Sequence, residues 1–362
     1  MKIKQIFAVL AVSASLMSCN FLDEFDPNAT TAGNFYTSEA DIETSLNGVY
    51  QSLAQSYYYQ YNYYFTDVRA HVTVVTDSGA SSGIPYQFYN YTLTEENQYV
   101  YNRYTQLFKS ISRVNTLLSH LDDVTYSASE ARDTYEAEAR FVRALTYFHL
   151  VTEWGDVPLV LERLDSKDEV AANNYRRPKA QIYKAIFDDL DFVLDSPLAD
   201  FQPASECGRA SKAAALALYG KAALQCACDE DFASEKSASL TSAIEKLTAA
   251  WNLRSFGELS DIPYNAIWDL STQKSCAENI FQINYIQNNA DLGSTWNYLF
   301  GPSKTGITSN KVGLMQNMTT KSVYDAFAKE DVRKNYLRET TVAGVTYYHT
   351  MKYADLECGA NG

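Results

Sequence analysis

Residues 136–160 have the sequence EAEARFVRALTYFHLVTEWGDVPLV, and this stretch decides the fold. Its apolar residues lie on more than one side of a helix, which indicates a helix packed between neighbours rather than on a surface. One side carries Phe141, Ala144, Phe148 and Val151, and another carries Val142 and Leu145. Gly155 and Pro158 are typical of a helix end. The stretch therefore predicts a central helix with partners on several sides.

Helical patterns continue on both sides of this central helix. Apolar residues recur at helical spacing in segments 42–53, 107–121, 182–193 and 240–253, and small residues do so in segment 213–224. Ser38 with Glu39 predicts the start of the first helix, Ser127 with Glu130 forms a capping-box pattern, and Pro178 is typical of a first helical turn. Antiparallel helices of this size predict a helical-repeat scaffold. The helix starts are unevenly spaced, so degenerate repeats are possible and a regular solenoid is not.

The helical spacing of apolar residues is lost after residue 254. Segment 279–286 alternates like a strand, with Ile280 opposed to Phe281, and segment 342–348 predicts a hairpin around Gly344. Segment 79–91, rich in Ser, Gly, Pro and Tyr, is interpreted as an irregular loop. The predicted fold class is mostly α, with irregular loop insertions and a few short strands.

The first eighteen residues are typical of a secretory signal peptide. Lys2 and Lys4 precede an almost wholly apolar run that ends at residue 17 and is too short to span a bilayer. The run is followed by Ser18 and Cys19, an end that resembles the bacterial lipobox, in which the cysteine thiol receives a diacylglyceryl group. An ordinary signal peptide that happens to precede a cysteine is the alternative. We expect cleavage before Cys19, with residues 19–34 as an acidic tether.

The charge of the chain excludes some classes of partner. It carries 44 acidic and 30 basic residues, and removal of residues 1–18 would leave 28 basic residues and a net charge of −16. No basic patch or arm stands out, so we expect neither nucleic acid nor an anionic lipid surface as a partner.

Catalytic and metal-binding patterns are not evident in the sequence. The four histidines are scattered without ligand spacing, and His149 lies within the central helix, where we interpret it as a core residue. The five cysteines after Cys19 are odd in number and irregularly spaced, which argues against a disulfide framework. Cys226 and Cys228 are two apart on a predicted helix and face roughly opposite sides, so they do not suit a shared metal. We expect no catalytic residue, no metal and no cofactor.

Several motifs in one order resemble the SusD/RagB family of outer-membrane nutrient-binding lipoproteins from the Bacteroidetes. The two longest are EAEARFVRA at 136–144 and WGDVPLV at 154–160. Shorter ones are FLD at 21–23, LNGVY at 46–50, NTLL at 115–118, DDL at 188–190, GRASKAAA at 208–215, ENIF at 278–281 and KY at 352–353. The likeness covers essentially the whole mature chain. Family members usually continue with further helices past the KY motif, so we expect 35–254 to be the N-terminal helical domain and 255–362 to be part of the C-terminal region.

The resemblance implies a tetratricopeptide-like scaffold whose irregular insertions carry the ligand site. It implies a lid over a TonB-dependent, SusC-like outer-membrane transporter, anchored by the lipid on Cys19 and without catalysis. The ligand would be an oligosaccharide or, in some relatives, a peptide. A surface glycoside hydrolase is an alternative of another class, but an acid–base pair cannot be recognised among so many carboxylates. Arg140, Arg143 and Asp156 are interpreted as architectural, either as a buried ion network or as helix-end pairing and capping.

Aromatic residues are the candidates for ligand contacts, because the chain holds 28 Tyr, 17 Phe and 4 Trp. A tyrosine ring offers a flat apolar face and a hydroxyl, which suits polar ligands with apolar faces. Segment 57–65 holds seven aromatics in nine residues and is either a sugar-stacking surface or a continued core stripe through Tyr57, Tyr61 and Tyr64. We favour the core interpretation for at least half of it.

Better candidates lie in two loop-like segments, one at 79–91 and one that follows the strand-like segment 279–286. Tyr86 and Tyr89, with Phe88 and Tyr91 beside them, fall in segment 79–91, where a core stripe is not expected. Trp296 and Tyr298 follow the strand-like segment, where related glycan binders place ligand-facing aromatics. We therefore predict ligand contacts at Tyr86, Tyr89, Trp296 and Tyr298.

Overall fold

The computed structural model describes residues 35–75, 83–286, 289, 292–294, 296, 300, 317–342 and 344–352. The predicted signal peptide, Cys19, the tether and Tyr298 lie outside the described residues. Within the described chain, no helix is long and apolar enough to cross a membrane.

Helices account for most of the described chain, and the mostly α fold class is confirmed. The long helices are α1 (Glu39–Leu53), α3 (Gln98–Ser119), α4 (Ala131–Trp154), α6 (Lys179–Asp195), α7 (Lys212–Cys228) and α8 (Lys236–Asn252). The short helices are α2 (Tyr86–Tyr89), α5 (Lys167–Asn173) and α9 (Lys321–Ala326). The long helices form a series in which α1 packs on α3, α3 on α4, α4 on α6, α6 on α7 and α7 on α8.

The central helix predicted from residues 136–160 is α4. It contacts α1, α3, α6 and α7, and its apolar residues belong to the main core cluster on both predicted sides. It ends at Trp154 because Gly155 adopts a φ of +71°, a left-handed conformation that glycine takes without the steric cost a side chain would add.

Two of the three predicted helix starts have the expected residues. Ser38 and Asp41 form a capping box at the start of α1, and Pro178 precedes α6 as predicted. The capping box predicted from Ser127 and Glu130 is wrong, because α4 begins after Glu130 without a side-chain cap. The Ser127 backbone N–H instead donates to the Glu39 carboxylate of α1 at 2.8 Å.

The aromatic segment, residues 56–68, forms two π-helical turns at Ser56–Gln60 and Tyr64–Val68. Tyr58, Tyr63 and Tyr64 are buried, whereas Tyr57 and Tyr61 are only partly buried. The core interpretation is confirmed for these three residues and for Tyr61, which packs partly buried against Tyr63 and Tyr64, whereas Tyr57 of the predicted stripe belongs to neither core cluster. A π-helix closes i→i+5 hydrogen bonds, so its faces do not follow the 3.6-residue period of the α-helix.

Two short antiparallel strand pairs complete the fold. β1 (Thr73–Val75) pairs with β2 (Asn317–Thr319), and β3 (Leu337–Val342) pairs with β4 (Val345–Thr350). The second pair confirms the predicted hairpin, in which Gly344 has a φ of +81°. The strand predicted at 279–286 is wrong, because this described stretch has no strand partner. Its alternation is nevertheless real: Phe281 and Ile283 pack on the helical core, and Ile280 is exposed.

A buried ion network joins α4 to α6. Asp189 of α6 accepts hydrogen bonds from Arg143 Nε and Nη2, both at 2.8 Å, and from Arg140 Nη1 at 3.0 Å. The network interpretation of the two arginines is confirmed. Asp156, in contrast, caps α6 by accepting from the Lys179 backbone N–H at 2.9 Å, so the capping interpretation holds for it.

Replacement of Asp189 by alanine is expected to destabilise the protein strongly. Asp189 is 2% exposed, and its loss would leave the buried Arg143 guanidinium without its carboxylate. Breaking a buried pair in this way costs about 3–5 kcal/mol of unfolding free energy. Urea unfolding measures the loss, and Asp188→Ala is the control, since exposed Asp188 pairs only with exposed Lys184. Equal stability of the two variants would contradict this role.

Candidate functional site

A short helical turn places two of the predicted aromatics. Segment 79–91 was predicted to be an irregular loop, and this is wrong for Tyr86–Tyr89, which form α2. Pro85 precedes the turn with a φ of −61°, the value its ring imposes and a helix requires. Phe88 is fully buried and anchors the turn, while Tyr86 and Tyr89 are only partly buried at its edge.

Four rings form a continuous stack, which we call the aromatic platform: His71, Tyr86, Tyr89 and Tyr91. Tyr86 and Tyr89 lie 5.7 Å apart between ring centroids, with their planes at 27°. His71 stacks on Tyr89 at 4.4 Å and 28°, and Tyr91 is tilted against His71 at 5.2 Å. Tyr91 is 62% exposed and His71 is also exposed, so one end of the stack faces solvent.

Backbone hydrogen bonds fix the solvent end of the aromatic platform. His71 Nε2 lies 2.8 Å from the Tyr89 carbonyl oxygen. Because a carbonyl only accepts, this nitrogen must carry the proton, and Nδ1 of the neutral ring is left as an acceptor. The Tyr91 hydroxyl donates to the Arg69 carbonyl oxygen. His71 and Tyr91 have φ values of +54° and +56°, a strained region for side chains of this size that is enriched at functional sites.

Asn97 connects the aromatic platform to α3. Its side chain is buried and accepts from the backbone N–H groups of Tyr99 and Val100, which caps the helix. The same amide donates to the Ile84 carbonyl oxygen at 3.2 Å and to Gln87 Oε1 at 2.8 Å. One residue thereby holds α2 against the start of a long helix.

A second core cluster lies beneath the aromatic platform. Its buried members are Tyr63, Tyr64, Val68, Phe88 and Phe300, and Tyr86, Tyr89 and Trp296 pack against them. The Trp296 indole N–H donates to the Gln60 carbonyl oxygen at 3.0 Å, and its ring meets Phe300 at 75°. The structure therefore brings three of the four predicted ligand residues to one cluster, and Tyr298 lies outside the described residues.

The aromatic segment carries polar groups that stay neutral. The Tyr58 hydroxyl lies 2.8 Å from Thr146 Oγ1, and the Tyr59 hydroxyl lies 3.0 Å from His149 Nε2. Burial raises the pKa of Tyr59 to about 12 and lowers the pKa of His149 to about 3. At neutral pH both side chains are therefore uncharged, and His149 is a partly buried residue of the central helix whose ring is bonded to Tyr59.

His71 is the platform residue that the sequence did not indicate. It lies 18 positions before Tyr89, and its place depends on a left-handed backbone at a residue other than glycine. No spacing pattern signals such a contact. Arg69, two positions before His71, is exposed and forms no ion pair with a carboxylate among the described residues.

The arrangement suits binding of a ligand with flat apolar faces and many hydroxyl groups. The outer rings offer stacking surfaces, and the imidazole nitrogen and the tyrosine hydroxyl oxygens offer hydrogen bonds. No group of three or more His, Cys, Asp or Glu side chains that could hold a metal ion occurs in the described part of the chain.

Comparisons with known proteins agree with this architecture. A SusD-like family model, described as starch-binding associating with outer membrane, matches residues 20–224. SusD-like protein P25 of Formosa agariphila is 30% identical over 240 residues, which cover 62% of this chain and 44% of that protein. This chain therefore spans less than half the length of that relative.

Solved structures share the fold at low identity. Surface glycan-binding protein A from Bacteroides uniformis superposes with a TM-score of 0.71 at 21% identity, over 88% of this chain and 69% of its own. The protein of that name from Bacteroides thetaiotaomicron, in complex with laminarihexaose, gives 0.67 at 18% identity, over 88% and 71%. These similarities establish the fold alone, a tetratricopeptide-like helical scaffold. The match of the family model covers more than half of the chain, and the protein therefore belongs to the SusD-like family.

Proposed function

We propose that this protein is a cell-surface lipoprotein that binds oligosaccharides through the aromatic platform and acts without catalysis. The observation that carries the proposal is the stack of His71, Tyr86, Tyr89 and Tyr91, whose outer end, His71 and Tyr91, is exposed. The family description as starch-binding supports a glycan ligand. The complex of a structural neighbour with laminarihexaose supports it as well.

The binding mechanism combines stacking with hydrogen bonds. An apolar face of a sugar ring lies on Tyr91 or His71, where it is removed from water. Sugar hydroxyls then donate to Nδ1 of His71 and to the Tyr91 hydroxyl oxygen, and accept from the Arg69 guanidinium. Trp296 and Tyr298 would extend the contact surface from the other chain segment. The net charge of −16 after signal removal favours neutral glycans over anionic ones.

The lipid on Cys19 and the tether at 19–34 would hold the protein at the outer membrane, facing the exterior. A single acyl chain binds a membrane only marginally, so the two or three chains of a bacterial lipoprotein would provide a stable anchor. Asp23, Glu24 and Asp26 resemble the acidic signal that directs such lipoproteins to the outer face. We further propose a SusC-like TonB-dependent transporter as the partner, over which the protein acts as a lid.

Removal of platform rings should weaken glycan binding. Loss of one aromatic contact corresponds to about 0.5–1.5 kcal/mol, or roughly a threefold to tenfold rise in Kd. We expect this for Tyr89→Ala and Tyr91→Ala in calorimetric titrations with the oligosaccharide that a glycan array selects. Tyr101→Ala is the matched control, because Tyr101 is 63% exposed on α3 and outside the stack.

Other outcomes of this experiment would overturn the proposal. A flat glycan array with binding of peptides would favour the peptide-capture alternative. Release of reducing ends from the bound oligosaccharide would revive the glycoside hydrolase. Equal losses in Tyr89→Ala and Tyr101→Ala would remove the aromatic platform from the binding site.

Cys19→Ala should separate anchoring from binding. Without the thiol no lipid is attached, so the protein should leave the membrane fraction and the cell surface, while the purified variant binds glycan as before. Fractionation and surface labelling of cells measure retention. Cys228→Ala, which removes an exposed free thiol, should stay on the membrane. A Cys19→Ala variant that is still displayed would disprove the anchor.

A further inference from the structure

A cavity of about 290 Å³ opens between α1, the turn at 205–209 and segment 281–286. It lies apart from the aromatic platform, and none of the platform residues lines it. Its volume is at the lower end for ligand pockets, which suits one small ring rather than a long chain. Leu53, Phe281 and Ile283 give it an apolar floor that belongs to the main core.

Gly208 leaves room for the Asn284 side chain between segment 281–286 and the turn. A Cβ atom at this position would lie 2.6 Å from Asn284 Nδ2 and 3.6 Å from the Gln282 carbonyl oxygen. A side chain at position 208 would therefore displace the Asn284 amide, whereas the backbone of the segment would stay at ordinary contact distance. The neighbouring Cys207 Sγ accepts from Gln282 Nε2 at 2.9 Å, which fixes the segment on the turn.

Side-chain amides form the polar wall of the cavity. Asn47 and Gln51 project from α1, and Asn284 projects from the opposite segment. The Gln51 side chain is half-buried, and no described residue hydrogen-bonds to its amide. An amide both donates and accepts, so these groups match hydroxyls, which do the same.

The charges around the cavity disfavour an anion. Arg209 is the cation of the wall, and it is already bound by Glu206 Oε2 at 2.9 Å, Glu138 Oε2 at 3.3 Å and Glu43 Oε1 at 3.5 Å. It also donates to Asn47 Oδ1 at 3.2 Å, which orients that amide. Three carboxylates face one guanidinium, so an additional negative charge would meet net repulsion.

We infer that this cavity is a second ligand site, which takes one neutral polyhydroxylated ring such as a single sugar unit. The ring's apolar face lies on Phe281 and Ile283, and its hydroxyls bond to Gln51, Asn47 and Asn284. The inference goes beyond the proposed function, because it requires neither the aromatic platform nor a transporter.

Saturation-transfer NMR and calorimetry on the full purified chain test the inference, with glucose, galactose and mannose as neutral probes and glucuronate as the anionic probe. We expect saturation transfer from the protein to the protons of at least one neutral sugar, and weaker binding of glucuronate. Gln51→Leu removes the unpaired amide and should raise the Kd of the neutral sugar about threefold to tenfold. Gly208→Ala, which displaces Asn284, should do the same.

Two controls separate this site from the aromatic platform and from a general loss of structure. Gln181→Leu, at an exposed position of α6, should bind as the parent chain does. Tyr89→Ala should leave the single-sugar signal intact even if oligosaccharide binding is lost. Absence of any neutral-sugar signal, equal affinity for glucuronate, or an unchanged Kd in a folded Gln51→Leu variant would each overturn the inference.

Discussion

The Arg103 guanidinium is the group on which the candidate site depends. Arg103 lies on α3 and is 0% exposed, so its charge must be satisfied inside the protein. Its Nε donates to the Glu153 carboxylate of α4 at 2.6 Å, and Nη1 donates to the Tyr58 carbonyl oxygen. The guanidinium also lies 4.8 Å from the centroid of the Phe65 ring. One buried cation therefore joins two long helices to both π-helical turns of the aromatic segment.

The aromatic segment, held in place by Arg103, in turn packs against the residues that position the aromatic platform. Phe65 contacts Phe88 at 4.8 Å between centroids, and Phe88 is the buried anchor of α2. Gln60 accepts the hydrogen bond of Trp296, the predicted ligand residue from the far segment of the chain. An exposed ring can bind a ligand strongly only if its position is already fixed, because ordering it on binding costs free energy. The packed helices thus hold the stacked rings in place before a ligand binds.

The sequence predicted the features that follow from local periodicity and from helix-ending residues. The central helix, its end at Gly155, the start of α6 after Pro178 and the hairpin at Gly344 all depend on neighbours within a few positions. The π-helical turns could not be predicted, because no local sequence pattern distinguishes an i→i+5 hydrogen bond from an i→i+4 one. Alternation at 279–286 predicted the buried side correctly, but a strand also needs a partner, which no local pattern reveals.

The candidate site, like the fold, could be predicted only where it depends on local sequence patterns. Tyr86 and Tyr89 are predicted ligand contacts because a core stripe is not expected in a Ser- and Gly-rich segment, but Phe88 between them is core and the helical turn that carries them was not predicted. His71 and the Asn97 connection could not be predicted, since each depends on contacts between residues 10 to 18 positions apart. The capping box at Ser127 failed for a related reason, because Glu39 from another helix already bonds its N–H.

Hydrogen exchange in a double variant, Arg103→Met with Glu153→Gln, tests the dependence of the site on Arg103 most directly. The pair is removed without leaving a charge buried and unpaired, so α3 and α4 should stay protected. Because hydrogen bonds from a charged donor are worth about 1.5–3 kcal/mol each, amides in 56–68 and 86–91 should exchange at least roughly tenfold faster. Unchanged protection of both segments, together with unchanged glycan binding, would contradict the account.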